Sequence, residues 1–320
     1  MVFTVTLNPA LDKTVEIADF RIDKVNRIAT LRKDAGGKGI NVSKTVCALG
    51  GSSCAYCVLG GQTGEQIREM LAETGIHITS VPAMRETRTN LKVIDPVRHT
   101  NTDVNEPGAQ VMPQELQHLL SMLLEQTTDS DSVVLAGSLP ANVSCGMYRE
   151  WIDELKKNDV KVFLDADGEV LREAVQAKPY FVKPNKEELQ RLCGRTLHTE
   201  KEMIQQAELL VGSGIGAVLV SLGGEGALLV TAQGIWKAKA IPVAVKSTVG
   251  AGDSMVAAFA CGMEKGLDSE ACLRLAVAVS AAAVSLDGTQ APEPEAVEKL
   301  LPEVRIERLE QENKCEATLP

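Results

Sequence analysis

Residues 247–263, STVGAGDSMVAAFACGM, set two glycines and one carboxylate at the start of an apolar segment with helical spacing. Gly250 and Gly252 allow backbone N–H groups to turn toward a ligand, and the helix that follows adds the positive end of its dipole. The loop is therefore a candidate anion site. Asp253 has two interpretations: it caps the helix, as Asp often does, or it accepts a proton from an attacking hydroxyl while neighbouring amides hold the developing charge.

A second glycine-rich segment, Ala35–Asn41 (AGGKGIN), also leads into a helix. It can be a plain helix start, but three glycines are a poor choice for stability alone. It is better explained as a place where the backbone and Lys38 approach a polyol or a phosphate. It is not a Walker A loop, because Lys38 is followed by Gly39 and the position of the motif's first glycine holds Arg32.

Two further loops carry polar side chains with candidate roles. Asn185 and Glu188 begin a helix just after a predicted strand. They can form a capping box, and oxygen ligands three residues apart can also hold Mg²⁺, so both interpretations stay open. Arg88 stands in Thr87–Asn90, at the start of a polar segment. A lone Arg is usually solvated, but its planar fork also suits a phosphate.

The segment 212–217, GSGIGA, is close to the dinucleotide-binding pattern, but a predicted helix precedes it and a predicted strand follows it. This order is the reverse of that motif, so we interpret the segment as the turn that ends a helix. The first predicted strand is followed neither by GxGxxG nor by an acidic residue about 20 positions on. A nicotinamide oxidoreductase is therefore disfavoured.

Short β-branched and aliphatic segments alternate with helical-period segments along most of the chain. The pattern predicts strands at 2–7, 53–59, 132–136, 160–164, 180–183 and 216–221, with a hairpin at 226–231 and 234–240. It predicts helices at 39–49, 63–74, 113–126, 145–157, 186–193, 200–212, 252–265, 269–286 and 293–301. This alternation is typical of an α/β fold in which helices cover both faces of a mostly parallel central sheet. Ligands of such sheets bind beyond the carboxyl ends of the strands.

Two polar stretches, 13–33 and 86–105, interrupt this alternation with short strand-like pieces. Each leaves the core and returns to it, so we expect a small antiparallel β flap, or lid, over one edge of the main sheet. We expect a single domain over 1–308 and a frayed C-terminal tail over 309–320. The 44% of apolar residues is sufficient for a sizeable core.

The composition argues against several partners and compartments. A net charge of −10 without a Lys/Arg-rich run argues against binding to nucleic acid. No apolar run approaches the ~18 residues of a membrane span, and the first residues lack the features of a secretory signal. Eight scattered cysteines favour a reducing cytoplasm. We interpret Cys54 and Cys57 as small buried hydrophobes, since no other ligands complete a metal or redox site.

Three of these motifs occur in the order found in the phosphofructokinase B family of ribokinase-like carbohydrate kinases. AGGKGINVS resembles the first family signature, STVGAGDSMVAAF the second, and KPNKEEL the metal motif, and the resemblance covers nearly the whole chain. It implies a ribokinase-like three-layer fold with a lid, a Mg²⁺-dependent and ATP-dependent phosphorylation, and a homodimer formed through the lid. TLNPALD, TRTN and AGSLP are similar to the bacterial members that act on ketohexose phosphates.

The resemblance also implies a role for each candidate residue. Asp253 is then the general base, and the amides of Gly250, Ala251 and Gly252 form an anion hole. Asn185 and Glu188 organise Mg²⁺. The side of the sugar phosphate is formed by Asp12, Gly37, Lys38, Asn41 and Arg88, with Arg27 and Ser138 as additional candidates. The side of the nucleotide is formed by Lys183, Asn185, Ser221, Gly223, Gly226, Val277 and Ser280.

The expected reaction is the phosphorylation of fructose 1-phosphate by ATP to give fructose 1,6-bisphosphate. Tagatose 6-phosphate stays open as the alternative substrate, because both sugars place a phosphate and an attacking hydroxyl at opposite ends of a ketohexose. A non-catalytic sugar-phosphate sensor is the more remote alternative. K⁺ also stays open: Lys246 and Gly288–Thr289 form no clear cation-binding pattern, and the charge of Lys246 would work against one.

Overall fold

The computed structural model describes residues 1–310 as an α/β fold with one large and one small sheet. The strands are β1 (Val2–Thr6), β2 (Ala10–Glu16), β3 (Thr30–Gly36), β4 (Ser53–Leu59), β5 (His77–Pro82), β6 (Arg88–Asp95), β7 (Thr100–Asn105), β8 (Ser132–Ala136), β9 (Lys161–Asp165), β10 (Phe181–Val182), β11 (Ala217–Ser221), β12 (Ala227–Thr231), β13 (Gly234–Ala238) and β14 (Ile306–Leu309). The α-helices are α1 (Lys38–Ala48), α2 (Gly61–Ala72), α3 (Pro113–Gln126), α4 (Met147–Lys156), α5 (Gly168–Ala174), α6 (Lys186–Cys193), α7 (Glu200–Gly212), α8 (Ala251–Glu264), α9 (Ser269–Val284) and α10 (Pro294–Leu300).

The large sheet has ten strands in the order β14-β13-β12-β11-β10-β9-β8-β1-β4-β5. All pairings from β11 to β5 are parallel, and β12, β13 and β14 extend the sheet with antiparallel pairings. The carboxyl ends of the parallel strands therefore meet at one edge, which is where open α/β sheets bind their ligands.

Helices cover both faces of the large sheet and make three layers. The alternation of side chains along β8 shows this arrangement, because Val133 and Leu135 join the core beneath α3, α4 and α7, whereas Val134 and Ala136 join the core beneath α1, α8 and α9. A fully buried aliphatic side chain contributes about 1.5–3 kcal/mol to folding. The strand is apolar on both faces, as expected for the middle of a parallel sheet.

The predicted fold class and all the predicted core strands and helices are confirmed, with ends that differ by a few residues. Three elements were missed. Strand β5 lies at a sheet edge and fully buries only Val81, so it lacks a continuous apolar run. Helix α5 has only seven residues, and no Pro marks its start as Pro294 marks that of the equally short α10. Strand β14 is the opposite edge and ends at Leu309, the first residue of the predicted tail; residues 311–320 lie outside the described residues.

The small sheet is the predicted lid, with the strand order β3-β2-β6-β7. Its outer pairings are antiparallel, but β2 and β6 pair in parallel, from Ala10 with Arg88 to Glu16 with Ile94. The two polar excursions of the chain are therefore joined at the centre of one sheet. Val15, Ile17 and Val93 form a small core of this sheet.

A buried carboxylate ties the two excursions together at the tip of the lid. Asp95, at the end of β6, accepts hydrogen bonds from the backbone N–H groups of Asp19 (3.0 Å) and Phe20 (2.8 Å) in the first excursion. It also accepts one from Val97 (3.0 Å) in its own excursion. The lid is therefore one packed unit rather than two independent loops.

The interpretation of the cysteines is also confirmed for the part of the chain that the structure describes. All seven cysteines there are free, and Cys54 and Cys57 are buried. Burial raises the pKa of Cys57 to about 12, so this thiol is unreactive at neutral pH. Among residues 1–310, no group of three or more His, Cys, Asp or Glu side chains could hold a metal ion. In the same range, no helix combines the length and the apolar character needed to cross a bilayer.

Candidate active site

A cleft of about 1200 Å³ opens at the carboxyl ends of the parallel strands. The loops after β1, β8, β9, β10 and β11 line it, together with the N-termini of α1 and α8 and part of the lid. The predicted site residues that line this cleft are Gly37, Lys38, Asn41, Arg88, Ser138, Lys183, Asn185, Glu188, Ser221, Gly223, Gly226, Gly250, Ala251, Gly252, Asp253, Val277 and Ser280. Motifs that are far apart in the sequence thus meet at one surface.

Asp253 is buried at the bottom of the cleft, in the first turn of α8. The N-cap of this helix is Gly250, and no side chain caps it, so the interpretation of Asp253 as a helix cap is wrong. The carboxylate instead accepts a hydrogen bond from Asn41 Nδ2 at 2.8 Å. This contact joins the two glycine-rich helix starts that the sequence suggested as ligand sites.

The ionisation of Asp253 is shifted toward neutral pH. Burial and the nearby charge of Asp165 raise the pKa of Asp253 to about 6. The cations Lys38 and Lys183 and the hydrogen bond from Asn41 oppose this shift but do not cancel it. A carboxylate with such a pKa is a better proton acceptor than an exposed one and is still ionised at neutral pH.

Gly250 and Gly252 shape the start of α8 as an anion site. Gly250 adopts the left-handed conformation (φ 82°, ψ −6°), which glycine favours. The first N–H groups of a helix lack partners within the helix. Here the N–H of Ala251 makes only a long contact with Thr248 O (3.4 Å), and the N–H of Ser254 is the one that donates to Gly250 O (2.9 Å). The first amides can therefore serve a ligand.

Two lysines meet at a buried carboxylate in the centre of the cleft. Lys38 Nζ lies 3.0 Å and Lys183 Nζ lies 3.6 Å from Asp165 Oδ1. Burial opposes the ionisation of Asp165, but the two lysines hold its pKa below the usual range. Asp165 and Asp253 raise the pKa of Lys38 against the effect of burial. Lys38 and Lys183 balance the charges of Asp165 and Asp253, and their ammonium groups place hydrogen-bond donors in the cleft that suit phosphate groups.

Asp165 was not predicted as a site residue. Its signal was available, because Asp165 is the last residue of β9 and so lies at the edge where the other loops converge. The carboxylate is 1% exposed, and its Oδ2 has no hydrogen-bond partner among the described residues.

Asn185 and Glu188 form the capping box that the sequence suggested. Asn185 Oδ1 accepts from the N–H of Glu188 (2.8 Å), and Glu188 Oε2 accepts from the N–H of Asn185 (2.8 Å). Both residues also line the cleft. The cap uses one carboxylate oxygen of Glu188, and Mg²⁺ is commonly bound by one or two carboxylates together with substrate phosphates. The oxygen donors present therefore fit Mg²⁺.

Arg88 is held in the cleft by backbone carbonyl groups. Its guanidinium donates to Asn8 O (3.0 Å), Glu106 O (3.2 Å) and Pro9 O (3.4 Å). These contacts fix the planar fork where lid strand β6 meets the loop after β1. Burial lowers the pKa of Arg88, and Asp12 and Glu106 oppose this shift, so the group stays charged at neutral pH.

Asp12 does not line the cleft itself but contacts a residue that does. Its Oδ1 accepts a hydrogen bond from Asn90 Nδ2 (2.9 Å). Burial raises the pKa of Asp12, and this hydrogen bond opposes the shift. Asn90 and Asn8 line the cleft and were missed as site residues; Asn8 Nδ2 donates to Ser138 Oγ at 3.1 Å. Asn8 follows β1, where asparagine is a common turn residue, and Asn90 lies within β6, so neither stands out in the sequence.

Arg27, a candidate for the sugar phosphate, and Lys246, a residue that counts against a K⁺ site, both lie away from the cleft. Arg27 is exposed in the segment between β2 and β3 and is not among the lining residues. Lys246 is exposed too, and its Nζ lies 3.6 Å from Asp287 Oδ2. The structure therefore does not bring Arg27 to the other predicted residues in the cleft.

Comparison with known proteins agrees with this geometry. The sequence matches the family described as pfkB family carbohydrate kinase over residues 5–296. It is 38% identical over 309 residues to the 1-phosphofructokinase of Rhodobacter capsulatus, with 96% of this chain and 97% of that protein covered. The structure resembles phosphofructokinase-2 from Escherichia coli in complex with potassium (TM-score 0.90, 32% identity, 94% of this chain and 98% of that one). It also resembles the tetrameric inhibited form of that protein (TM-score 0.89, 31% identity, the same coverage).

Proposed function

Because the chain belongs to the pfkB family of carbohydrate kinases, we propose that it transfers the γ-phosphoryl group of ATP to fructose 1-phosphate and forms fructose 1,6-bisphosphate. The observation that carries this proposal is the position of the buried Asp253 carboxylate, beside the N-terminus of α8 and close to Lys38 and Lys183. A proton acceptor, an anion site and two cations in one cleft are the components that phosphoryl transfer needs. The relative from Rhodobacter capsulatus supports the choice of sugar.

In the proposed reaction, the free C6 hydroxyl of the sugar attacks the γ-phosphorus as its proton passes to Asp253. The bond from that phosphorus to the bridging oxygen breaks, and ADP leaves with the bonding electrons. The amides of Gly250, Ala251 and Gly252 stabilise the charge on the transferring group, while Lys38 and Arg88 hold the sugar phosphate. The lid excludes water, which would otherwise compete as the acceptor.

The nucleotide would lie on the other side of the cleft. Lys183 and the turn Ser221–Gly226 line the cleft and would face its phosphates, and Val277 and Ser280 on α9 line it and would face its base. Asn185 and Glu188 would hold Mg²⁺, which supplies charge neutralisation on the nucleotide phosphates when it is bound.

The Glu188→Gln variant should separate the metal role from the cap. Gln also forms a capping box, so the melting temperature should change little. The loss of the charge should raise the Mg²⁺ concentration for half-maximal activity by about tenfold, as expected for one weakened ligand. Mg²⁺ titrations of the activity measure this. The matched control is Glu202→Gln, since Glu202 closes the capping box of α7 with Thr199. Equal Mg²⁺ requirements in the two variants would contradict the metal role of Glu188.

The activity should fall on the acid side of neutrality because of Asp253. The raised pKa of about 6 means that this base becomes protonated as the pH falls below that value. The value of kcat/KM should therefore be constant above about pH 7 and decline about tenfold per pH unit below pH 6. Sugar phosphates ionise in the same range, so the free protein should also be titrated by ¹³C carboxyl resonances. The carboxyl resonance of Asp253 is the one that disappears from the spectrum of Asp253→Asn. If that resonance titrates near pH 4 in the wild type, Asp253 is not the group whose ionisation limits the activity.

One coupled assay tests the function itself. ADP release is measured with fructose 1-phosphate, fructose 6-phosphate and tagatose 6-phosphate at equal concentrations. We expect the highest kcat/KM with fructose 1-phosphate. A higher kcat/KM with tagatose 6-phosphate would mean that this sugar is the substrate, while the proposed phosphoryl transfer would still hold. Tight binding of a sugar phosphate without release of ADP would instead indicate a sensor.

The proposal extends to the assembly and the setting of the enzyme. Ile22, Val25 and Val104 on the lid are 90%, 82% and 57% exposed, which supports a homodimer formed through the lid; sedimentation velocity measures the oligomeric state.

K⁺ is to be tested as an activator, because the Escherichia coli relative was crystallised with potassium. The free cysteines in residues 1–310 support a cytoplasmic location.

A further inference from the structure

Arg32 reaches from the lid to the loop that follows α9. It lies on β3, opposite Thr14 of β2, and its side chain is 32% exposed. A Cβ atom at Gly288 would overlap Nη2 of Arg32 and lie 3.1 Å from its Cζ, so the guanidinium rests directly on the backbone of Gly288. This is a direct contact between the lid and the body of the enzyme.

The direction of the Arg32 side chain is fixed by its neighbour on the same strand. Asp34 is two residues away, on the same face of β3, and its Oδ2 accepts from Arg32 Nε at 2.8 Å. This ion pair leaves the other end of the guanidinium turned to Gly288. Its Nη2 is buried and has no hydrogen-bond partner among residues 1–310.

The next residue, Thr289, carries the contact on to the anion hole. Its Cγ2 and Cα lie 3.6 Å and 3.7 Å from the point where a Cβ atom of Gly250 would stand, so Thr289 is the nearest residue on that side of Gly250. Thr289 Oγ1 is also buried without a partner among the described residues. Gly250 is the N-cap of α8, and its conformation sets the direction of the first amides of that helix.

We propose that Arg32 is a positioning residue that couples the lid to the anion hole through Gly288, Thr289 and Gly250. Buried polar groups without partners are costly, so a small movement of the lid that gives Nη2 an acceptor on the 288–289 loop is favoured. That movement presses Thr289 onto Gly250 and sets the amides for the transferring phosphoryl group. The anion hole is then complete only when the lid is in place. This inference rests on the proposed kinase function.

The first test compares Arg32→Ala with Lys33→Ala. Lys33 is the neighbouring cation on β3 and faces the opposite side of the strand, so its loss matches the change of charge without touching the 288–289 loop. Arg32→Ala should lower kcat about tenfold, which corresponds to one charge-assisted hydrogen bond, and change KM for ATP less than twofold. Lys33→Ala should behave like the wild type. The single-turnover rate of phosphoryl transfer and the nucleotide Kd give the two readouts.

The second test asks whether Arg32 acts through Gly288. Gly288 has φ 66°, so the methyl group in Gly288→Ala strains the backbone and also occupies the place of the guanidinium, and this variant should lose activity in the wild-type background. In the Arg32→Ala background the overlap is absent and only the backbone strain remains, so the further loss of kcat should be smaller. Arg32→Lys keeps the charge without the fork and should recover part of kcat. Melting temperatures of all the variants show whether a loss is due to unfolding.

The outcomes separate this inference from the proposed function. A kcat of Arg32→Ala equal to that of Lys33→Ala, or losses that multiply in the double variant, would overturn the role of Arg32. A lower melting temperature with an unchanged kcat would do the same, because a purely structural contact affects stability alone. If the wild type phosphorylates no sugar phosphate, the proposed function itself is wrong.

Discussion

Asp253→Asn should lower kcat by about 100-fold or more, while the Kd for the nucleotide stays within a few-fold of that of the wild type. A positioned general base contributes roughly two to four orders of magnitude to a rate, and the amide cannot accept the proton. Asn has nearly the same shape, and its carbonyl oxygen can still accept the hydrogen bond from Asn41. The loss therefore concerns proton transfer, whereas the anion hole and both lysines stay in place.

Steady-state kinetics and calorimetric titration with a nucleotide measure the two parts of this prediction. The matched control is Asp268→Asn at the start of α9, where the carboxylate is a genuine cap that accepts from the N–H of Ala271 at 2.8 Å. That variant should keep the wild-type kcat. A wild-type turnover in Asp253→Asn would remove Asp253 from the mechanism, and an equal loss in both variants would point to helix stability instead.

Arg88→Ala should raise KM for the sugar phosphate about 10- to 100-fold and leave KM for ATP within about twofold. One charge-assisted contact to a phosphate has an effect of this size. The direction follows from the position of Arg88 on β6, where three carbonyl groups hold the guanidinium beside the loop after β1. Initial rates with each substrate varied in turn separate the two KM values.

The same carbonyl contacts give Arg88 a structural role, so two further variants are needed. Arg88→Lys keeps the charge but loses the planar fork, and we expect an intermediate KM for the sugar phosphate. Arg98→Ala removes another arginine of the lid, one that pairs with Asp19 at 2.7 Å and is 52% exposed. It should leave both KM values unchanged. A parallel rise of both KM values in Arg88→Ala would mean that this residue only supports the lid.

The sequence was sufficient for the fold because its strongest signals are local. Continuous apolar strands such as β4 and amphipathic helices such as α4 can each be predicted from the pattern of their own residues. Strand β5 does not, because an edge strand is stabilised by its partner more than by its own composition. The pairing of Cys54 with His77 at the start of β5 is a property of the folded sheet and leaves no mark in a single sequence.

The parts of the candidate site in which glycines and a charged residue are adjacent in the sequence could be predicted. The parts that depend on contacts between residues far apart in the sequence could not. Gly250, Gly252 and Asp253 form one motif that is recognisable in the sequence. Asp165 stands alone in the sequence, and only the fold brings Lys38 within 3.0 Å of it. Its charge also contributes to the raised pKa of Asp253, which no local pattern can show. The contact of Arg32 with Gly288 is hidden in the same way, since 256 positions separate the two residues.

The parallel pairing of β2 with β6 has a consequence for engineering. Asp12 lies on β2 and pairs with Asn90 on β6, and Arg88 lies two residues before Asn90 on the same strand. If these residues bind the sugar as proposed, a chimera that takes only one of the two segments from a relative would combine half of one recognition surface with half of another. Both stretches would have to be transplanted together to exchange substrate preference between two enzymes of this type.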